Sequence, residues 1–457
     1  METETLLHEA DLSPAELARL MLNRHVGDNV ETLNNLELDQ AAPVLAALPV
    51  ERAVEILDQP EFLAGPEIIA SLSAVHAAAL LNAMSADRAA DIVRLLPDDT
   101  RPLVLAVLDD ESRSAIQRLL VYPEDTAGGL MTTEFVSVPS TFTVGQTLEH
   151  IRHVERTRET VYAIYVLDPV TKRLIQMVTL RRLIAAEPAA PILSAARESK
   201  PITVTPQTDR EEVGRLFRKY DLLAVPVVDH FGHVLGIVTV DDAIDAMLQE
   251  SSEDVQKFGG MEAIDKPYLQ MGFGAMIKKR AGWLCILFLS EMLTASAMQS
   301  FEVELEKAIV LTLFVPLIMS SGGNSGSQAT SLLIRALALQ ELRLRDWWRV
   351  ALRELPTGLV LGAFLGIIGI ARITVWQTAG LYDYGTHWQL VALTVGVALV
   401  GIVTFGSMAG SMLPFILKRI GFDPASASAP FVATLVDVTG LVIYFSVALV
   451  ILRGTLL

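Results

Sequence analysis

The sequence predicts a multidomain membrane protein with an all-α superhelical N-domain, an α+β duplicated pair, a connecting helix and a five-helix transmembrane domain. Two observations predict it. Residues 1–270 carry 43 acidic and 23 basic residues, a net −20, whereas residues 271–457 carry 10 acidic and 13 basic, a net +3. Within the acidic half, the residue pattern changes near Tyr122-Pro123 from helical to strand-like.

The N-domain is assigned to residues 1–122. Leu48-Pro49-Val50-Glu51-Arg52-Ala53-Val54-Glu55-Ile56-Leu57 and Met84-Ser85-Ala86-Asp87-Arg88-Ala89-Ala90-Asp91-Ile92-Val93 match in spacing. Each opens on a turn residue followed by acidic groups, which suit the positive end of a helix. A stack of helix pairs with a weak repeat is expected.

Residues 123–250 hold the duplication. Val161–Val166 and Ile175–Thr179 are β-branched runs separated by Asp168-Pro169 and Lys172-Arg173. The same order returns about 60 residues later as Leu223–Val228, a turn at Asp229-His230-Phe231-Gly232, and Val234–Thr239, with helical stretches on either side. The connecting helix is assigned to 251–280, centred on about 255–275.

The membrane domain occupies 281–457. Apolar stretches near 281–300, 308–339, 351–377, 388–417 and 429–452 are each long enough for a hydrocarbon core of about 30 Å, which takes around 20 helical residues. Basic residues mark the cytoplasmic loops. Lys278, Lys279 and Arg280 precede span one, Arg343, Arg345, Arg349 and Arg353 separate spans two and three, and Lys418 and Arg419 separate four and five. The opposite loops, with Phe301–Glu306 and Tyr382-Asp383-Tyr384, have little Lys or Arg. The soluble half is therefore expected in the cytoplasm and the C-terminus outside. Met1-Glu2-Thr3-Glu4 is acidic and no apolar stretch follows, so no cleaved signal peptide is expected.

Several function classes are disfavoured. The lone Cys285 rules out a disulfide scaffold or a Cys-based zinc site and suits a reducing compartment. Eight scattered histidines and an intramembrane thiol give no nucleophile, base and orienter for an enzyme. The −20 soluble half opposes nucleic acid, and no Gly-rich phosphate loop supports an ATP-driven pump.

A cation route is read from the spans themselves. Asp437 sits about a third of the way into an apolar span, where a carboxylate is costly unless it meets a cation, a partner or water. An ion pair with Arg335, or protonation, is the alternative. Glu291 lies deep in span one as a second pore group, a proton site or the partner of a base. Asn324 with Gly322 and Gly323 is expected to break span two, since irregular backbone at membrane depth is tolerated where it lines a cavity; close helix packing is the other reading of the glycines. Asp241, Asp242, Asp245, Glu250, Glu253 and Asp254 crowd the approach to the membrane with Lys257 as the only base before Lys266. Like charges at such helical spacings repel, so something must relieve them.

The duplicated pair resembles a tandem cystathionine-β-synthase-type (CBS) pair, on its Gly236-Ile237-Val238-Thr239-Val240-Asp241-Asp242 ending. The whole order resembles the MgtE family of magnesium channels and transporters. It does so most specifically at Gly128–Thr132, at Ser321–Gln328 with Ile334–Leu337, and at Asp423-Pro424 with Asp437–Leu441. The resemblance implies a homodimer in the cell (inner) membrane of a bacterium, with Asp437 as pore metal site lined by the Ala433 carbonyl. Asn324, Gly322, Gly323 and Ser331 would be further pore positions. It also implies regulatory Mg2+ at Asp87 and Asp91 in the N-domain, at Asp209, Glu211 and Asp221 in the second CBS unit, and at Asp242, Asp245, Glu250, Glu253 and Asp254 along the connector. Hard oxygen ligands suit Mg2+ or Ca2+. An adenosine nucleotide such as ATP is a further expected ligand, at Thr239 and Asp242; the first unit's Thr179-Leu180-Arg181-Arg182 lacks the aspartate. Two departures bear on selectivity: Ala429 stands where the family commonly has asparagine, and Ser331 where it has threonine. Transport of Co2+, Mn2+ or Ca2+, or a membrane sensor without transport, are the competing functions.

Overall fold

The structure, a computed structural model, describes residues 12–154, 160–264, 268 and 271–456. Met1–Glu4 and Lys266 lie outside the described residues. The chain forms two compact units, Met1–Glu250 and Ser251–Leu457.

Among the described residues the first unit begins with nine short helices: α1 (Pro14–Met21), α2 (Val26–Asn34), α3 (Leu38–Ala47), α4 (Val50–Leu57), α5 (Gly65–Ser71), α6 (Ala74–Leu81), α7 (Ala86–Leu95), α8 (Arg101–Val107) and α9 (Asp110–Leu119). Side chains start several of them. Ser13 and Glu16 form a reciprocal capping box on α1, and Ser73 and Asp109 accept from the third residue onward in α6 and α9, each satisfying an amide that has no partner inside the helix. Leu33, Ile56, Ile68, Ile69, Leu80 and Val93 are fully buried in the shared core. The weak repeat has a specific physical basis that its spacing alone did not reveal. Arg52 of α4 donates to the carbonyls of Met21 and Arg24, and Arg88 of α7 donates to those of Asp58 and Gln59. Each arginine thus covers the carbonyl end of a helix in the preceding repeat, where cations are favoured.

The duplicated pair follows the short α10 (Ala127–Leu130). Strand β1 (Val136–Pro139) pairs in parallel with β2 (Ala163–Leu167), with α11 (Val144–Val154) as the crossover, and β2 pairs antiparallel with β3 (Leu174–Thr179). After α12 (Leu180–Ala185) and α13 (Arg210–Tyr220), β4 (Ala224–Val228) pairs antiparallel with β5 (Val234–Thr239), and α14 (Val240–Phe258) follows. Ala163 faces Thr179 and Ala224 faces Thr239, and both hairpins shift register one residue before the end of their first strand. The duplication read from β-branched runs is therefore repeated down to the bulge. An antiparallel bridge between Arg173 and His233 joins the hairpins.

The second unit contains α15 (Phe273–Ser300), α16 (Glu302–Lys307), α17 (Val315–Ala338), α18 (Trp347–Thr378), α19 (Trp388–Arg419) and α20 (Ala429–Ile451). Five of its helical segments are long and apolar enough to cross a membrane, and they match the five expected spans. Two expectations are corrected. A single connecting helix over 255–275 is not formed: α14 stops at Phe258, Gly259 and Gly260 turn, and helix resumes at Phe273, while 265–267 and 269–270 lie outside the described residues. Gly260 has φ +77°, which is why a residue without Cβ ends that helix. Span two is not broken either, because α17 runs through Gly322, Gly323 and Asn324 without interruption. Those glycines serve approach rather than interruption: a Cβ at Gly322 would lie 2.6 Å from both Ile402 and Val436.

Candidate ion pathway and acidic sites

Asp437 is carried by α20, whose start is fixed by Ser428. The Ser428 hydroxyl accepts from Phe431 N at 3.3 Å and from the Trp283 indole of α15 at 3.1 Å. Three small residues of α17 bring the two helices together. A Cβ at Gly323 would sit 3.3 Å from that of Ala433, one at Gly326 would meet Val432 at 2.8 Å, and Ser327 donates to the Ala429 carbonyl at 3.4 Å. The predicted pore positions Gly322, Gly323 and Ala433 are thus adjacent, along the helix turn below Asp437. Asn324 is exposed and donates to Ser320 at 3.3 Å, while Ser331 is exposed. Both sit on α17 away from its buried seam of Gly322, Gly323, Ser325, Gly326 and Thr330.

Asp437 is half-buried, and the charged group whose field reaches it is Glu291 of α15. The two helices run side by side, with Trp283 near Phe431 at 6.3 Å between ring centres and Phe301 stacked on Phe445 at 4.9 Å. Glu291 and Asp437 fall between these contacts, so they share a depth. Among the described residues no basic side chain pairs with Asp437; the ion pair with Arg335 is not formed. Two carboxylates at membrane depth without a base are a costly arrangement that a divalent cation would relieve.

In the first unit the predicted N-domain acids gather around Arg88. The Asp87 side chain is buried, its Oδ1 has no hydrogen-bond partner, and burial pushes its carboxyl up. Asp58, which the sequence did not single out, is raised to about 6 by burial and then by the neighbouring Asp87 charge. Asp91 is also raised to about 6, by burial against the opposing pull of Arg88; it lies 3.5 Å from Arg88 and 3.3 Å from Arg94. Asp245 of α14 joins the same field: burial raises its carboxyl, Glu61 and Asp241 add to the rise, and Arg88 opposes it. Asp245, far from Asp87 and Asp91 in sequence, thus comes under the field of the same Arg88.

The remaining acids have protein partners. Glu250 pairs with Arg210, Glu211 lies 3.4 Å from Arg215, and Asp209 accepts from Glu211 N at 2.8 Å as the cap of α13. Asp221 is exposed and ends α13 in the left-handed region, φ +49°. Glu253 lies 2.7 Å from Lys257, and Asp254 is half-buried. Thr239, buried at the end of β5, donates to the Asp242 carboxylate, so the two predicted nucleotide ligands already meet. Among the described residues no three His, Cys, Asp or Glu side chains converge as a ready metal cage. A weakly dehydrating ion such as Mg2+, held through one or two carboxylates and its own waters, needs no such cage.

Family models match three parts of the chain: a divalent cation transporter (MgtE) over 315–447, the MgtE intracellular N domain over 24–125 and a CBS domain over 196–249. The chain is 42% identical to the magnesium transporter MgtE of Thermus thermophilus over 76% of its own length and 75% of the relative's. It is 35% identical to the magnesium transporter MgtE of Enterococcus faecalis over 75% of this chain and 73% of that one. Among solved structures, the cytosolic domain of the Mg2+ channel MgtE in complex with ATP is 34% identical, covers 50% of this chain and 93% of its own, with a TM-score of 0.47.

Proposed function

Because this chain belongs to the MgtE family of magnesium transporters, we propose that it conducts Mg2+ into the cell, driven by the membrane potential and restrained by cytosolic Mg2+. An inward divalent cation gains roughly 2.3 kcal/mol per charge at 100 mV, so no other energy source is required. The observation that carries the reading is Asp437, half-buried in α20, facing the field of Glu291 and, among the described residues, paired with no base. A cation passing at that depth removes the cost of the two carboxylates. Mg2+ keeps most of its water, so Asp437, the Ala433 carbonyl and their copies in a second subunit of a homodimer suffice for a hydrated ion. Gly322 and Gly323 allow the close packing that sets the Ala433 turn. Asn324 and Ser331 supply polar surface on the same helix.

Regulation is placed at the acids around Arg88 and along α14. When cytosolic Mg2+ is high, ions screen Asp87, Asp91 and Asp245 and the run of Asp242, Glu250, Glu253 and Asp254; when it is low, repulsion loosens them. Asp209, Glu211 and Asp221 are the corresponding positions in the second CBS unit. Taking a gate from 1:99 to 99:1 needs about 5.5 kcal/mol, which several weak sites supply together. An adenosine nucleotide such as ATP at Thr239 and Asp242 would draw on the same carboxylate as the metal. The chain spans the inner membrane of a bacterium with its soluble half cytoplasmic and its C-terminus outside, as the basic loops direct. The experiment is Mg2+ flux through reconstituted protein at low and high internal Mg2+, comparing wild type with the Asp242→Ala, Asp245→Ala, Glu250→Ala triple variant. The variant should lose most of its inhibition by internal Mg2+; full inhibition retained would overturn the regulatory reading.

A further inference from the structure

Lys257 is the only lysine or arginine between Lys219 and Lys266. It stands on the last turn of α14, and its Nζ lies 2.7 Å from Glu253 Oε1 and 2.7 Å from Asp423 Oδ2, 166 residues further along the chain. Asp423 is not free to turn away: its Oδ1 accepts from Ala425 N at 2.8 Å, capping the turn Pro424–Ser426 that leads into α20. All three side chains are largely shielded, with 28%, 28% and 37% exposure for Lys257, Glu253 and Asp423.

Two further contacts bind the same places. Gly260, three residues beyond Lys257, is buried so closely that a Cβ there would lie 2.8 Å from Trp283 and 3.3 Å from Pro430. Trp283 in turn donates to Ser428, the cap of α20. The turn after Gly260 is braced as well, since Gln256 Oε1 accepts from Ile264 N at 2.6 Å and Glu262 N donates to Lys279 O at 3.2 Å. The end of the connector is therefore fastened to the first turn of the helix that carries Asp437. That aspartate is nine residues past Ser428, about 13 Å along the helix at 1.5 Å per residue.

We propose that Lys257 is the built-in cation of a latch that holds the connector against the mouth of α20 and keeps the pore in its restrained state without a metal ion. This rests on the reading that the connector restrains the pore. Its positive charge does between Glu253 and Asp423 what a bound cation would do between two carboxylates, so this junction is not released by loss of the metal itself. Opening then has to pull the ammonium from two carboxylates, and the acidic sites elsewhere act against a standing bias. Lys257 is a positioning residue, acting through Asp423 and the Ser428 cap on the helix that carries Asp437.

The test uses the full chain in lipid, with two readouts on wild type, Lys257→Gln and Lys257→Arg. Amide hydrogen exchange should speed up in both 257–264 and 423–428 for Lys257→Gln, and fall back towards wild type for Lys257→Arg. Mg2+ flux at inhibiting internal Mg2+ should rise about twofold to fivefold for Lys257→Gln, as expected for a partly shielded ion pair, and fall back for Lys257→Arg. Unchanged exchange in either segment, or flux at high internal Mg2+ that is unchanged or lower, would overturn the latch. A wild type that transports Mg2+ but is not inhibited from inside would remove the regulatory reading instead, and the exchange result alone would then decide whether the latch exists.

Discussion

The two units of this chain are held together by different physics. In the first, apolar side chains such as Leu33, Ile56 and Ile68 are withdrawn from water, and arginines cover helix ends. In the second, lipid is as apolar as the side chains, so cohesion comes from close backbone approach and a few internal hydrogen bonds. A Cβ at Gly406 would lie 2.4 Å from the Gly322 carbonyl oxygen and one at Gly410 2.1 Å from that of Gly326. Ser325 and Ser407 share a buried hydrogen bond of 2.7 Å, and Thr330 donates to both Gly326 O and Gly410 O at 2.9 Å. The membrane half is thus a tightly fitted frame with little room to respond. The soluble half holds carboxyls raised by burial, at Asp58, Asp87 and Asp91.

The largest effect expected from this contrast is at Gly410. Replacing it with Leu forces the α17–α19 contact apart, and overpacking against backbone costs at least 1–3 kcal/mol and often more. The variant should fail to elute as a single species in detergent, whereas the same change at the exposed, helical Gly274, where a Cβ meets nothing within 4 Å, should have a far smaller effect. Next is Ile68→Ala in the N-domain core, worth about 2–5 kcal/mol. It should lower the melting temperature of the soluble unit, and the membrane unit's transition should stay in place. A shared shift of both transitions would break the two-unit comparison.

Much of this was legible in the sequence and some was not. The five spans and both hairpins could be read because composition and periodicity are local properties: an apolar run of 20 residues or a β-branched pair around Asp168-Pro169 carries its own meaning. The glycines at 322 and 323 were ambiguous because a glycine signals either a break or a close approach, and only the position of Ile402 and Val436 decides. The connector was read as one helix because its acidic, helix-favouring stretch masks Gly259-Gly260. Contacts between distant segments left no local mark. Lys257 with Asp423, Ser325 with Ser407 and the raised Asp58 are properties of the folded chain. Arg52 and Arg88 are an intermediate case: they occupy equivalent positions in the two matched N-domain segments, a signal that comparing them residue by residue would have found.

A third prediction concerns pH. The Asp58 carboxyl is raised to about 6 in the fold from about 3.9 when exposed, so the folded state holds the proton more tightly. That contribution to stability is complete below about pH 4 and disappears as pH rises through 6. Without Mg2+, the melting temperature of the soluble unit should therefore rise from pH 7 to pH 5, by an amount equivalent to at most ~2 kcal/mol from Asp58. Asp58→Asn should flatten the rise; a fall in wild type over that window would contradict the assignment. The smallest effect is at the Ser325–Ser407 pair, where Ser325→Ala should cost about 1 kcal/mol, read as a small loss of thermal stability in the membrane unit alone.

The central claim is that a divalent cation passes Asp437. It is tested most directly by Mg2+ uptake into proteoliposomes under a negative-inside potential, with wild type beside Asp437→Ala and both checked for the same elution profile. The account predicts potential-driven uptake in wild type and its loss in the variant. Equal uptake by the two proteins would contradict the pathway, and uptake of Co2+ or Mn2+ but not Mg2+ by wild type would contradict the proposed substrate.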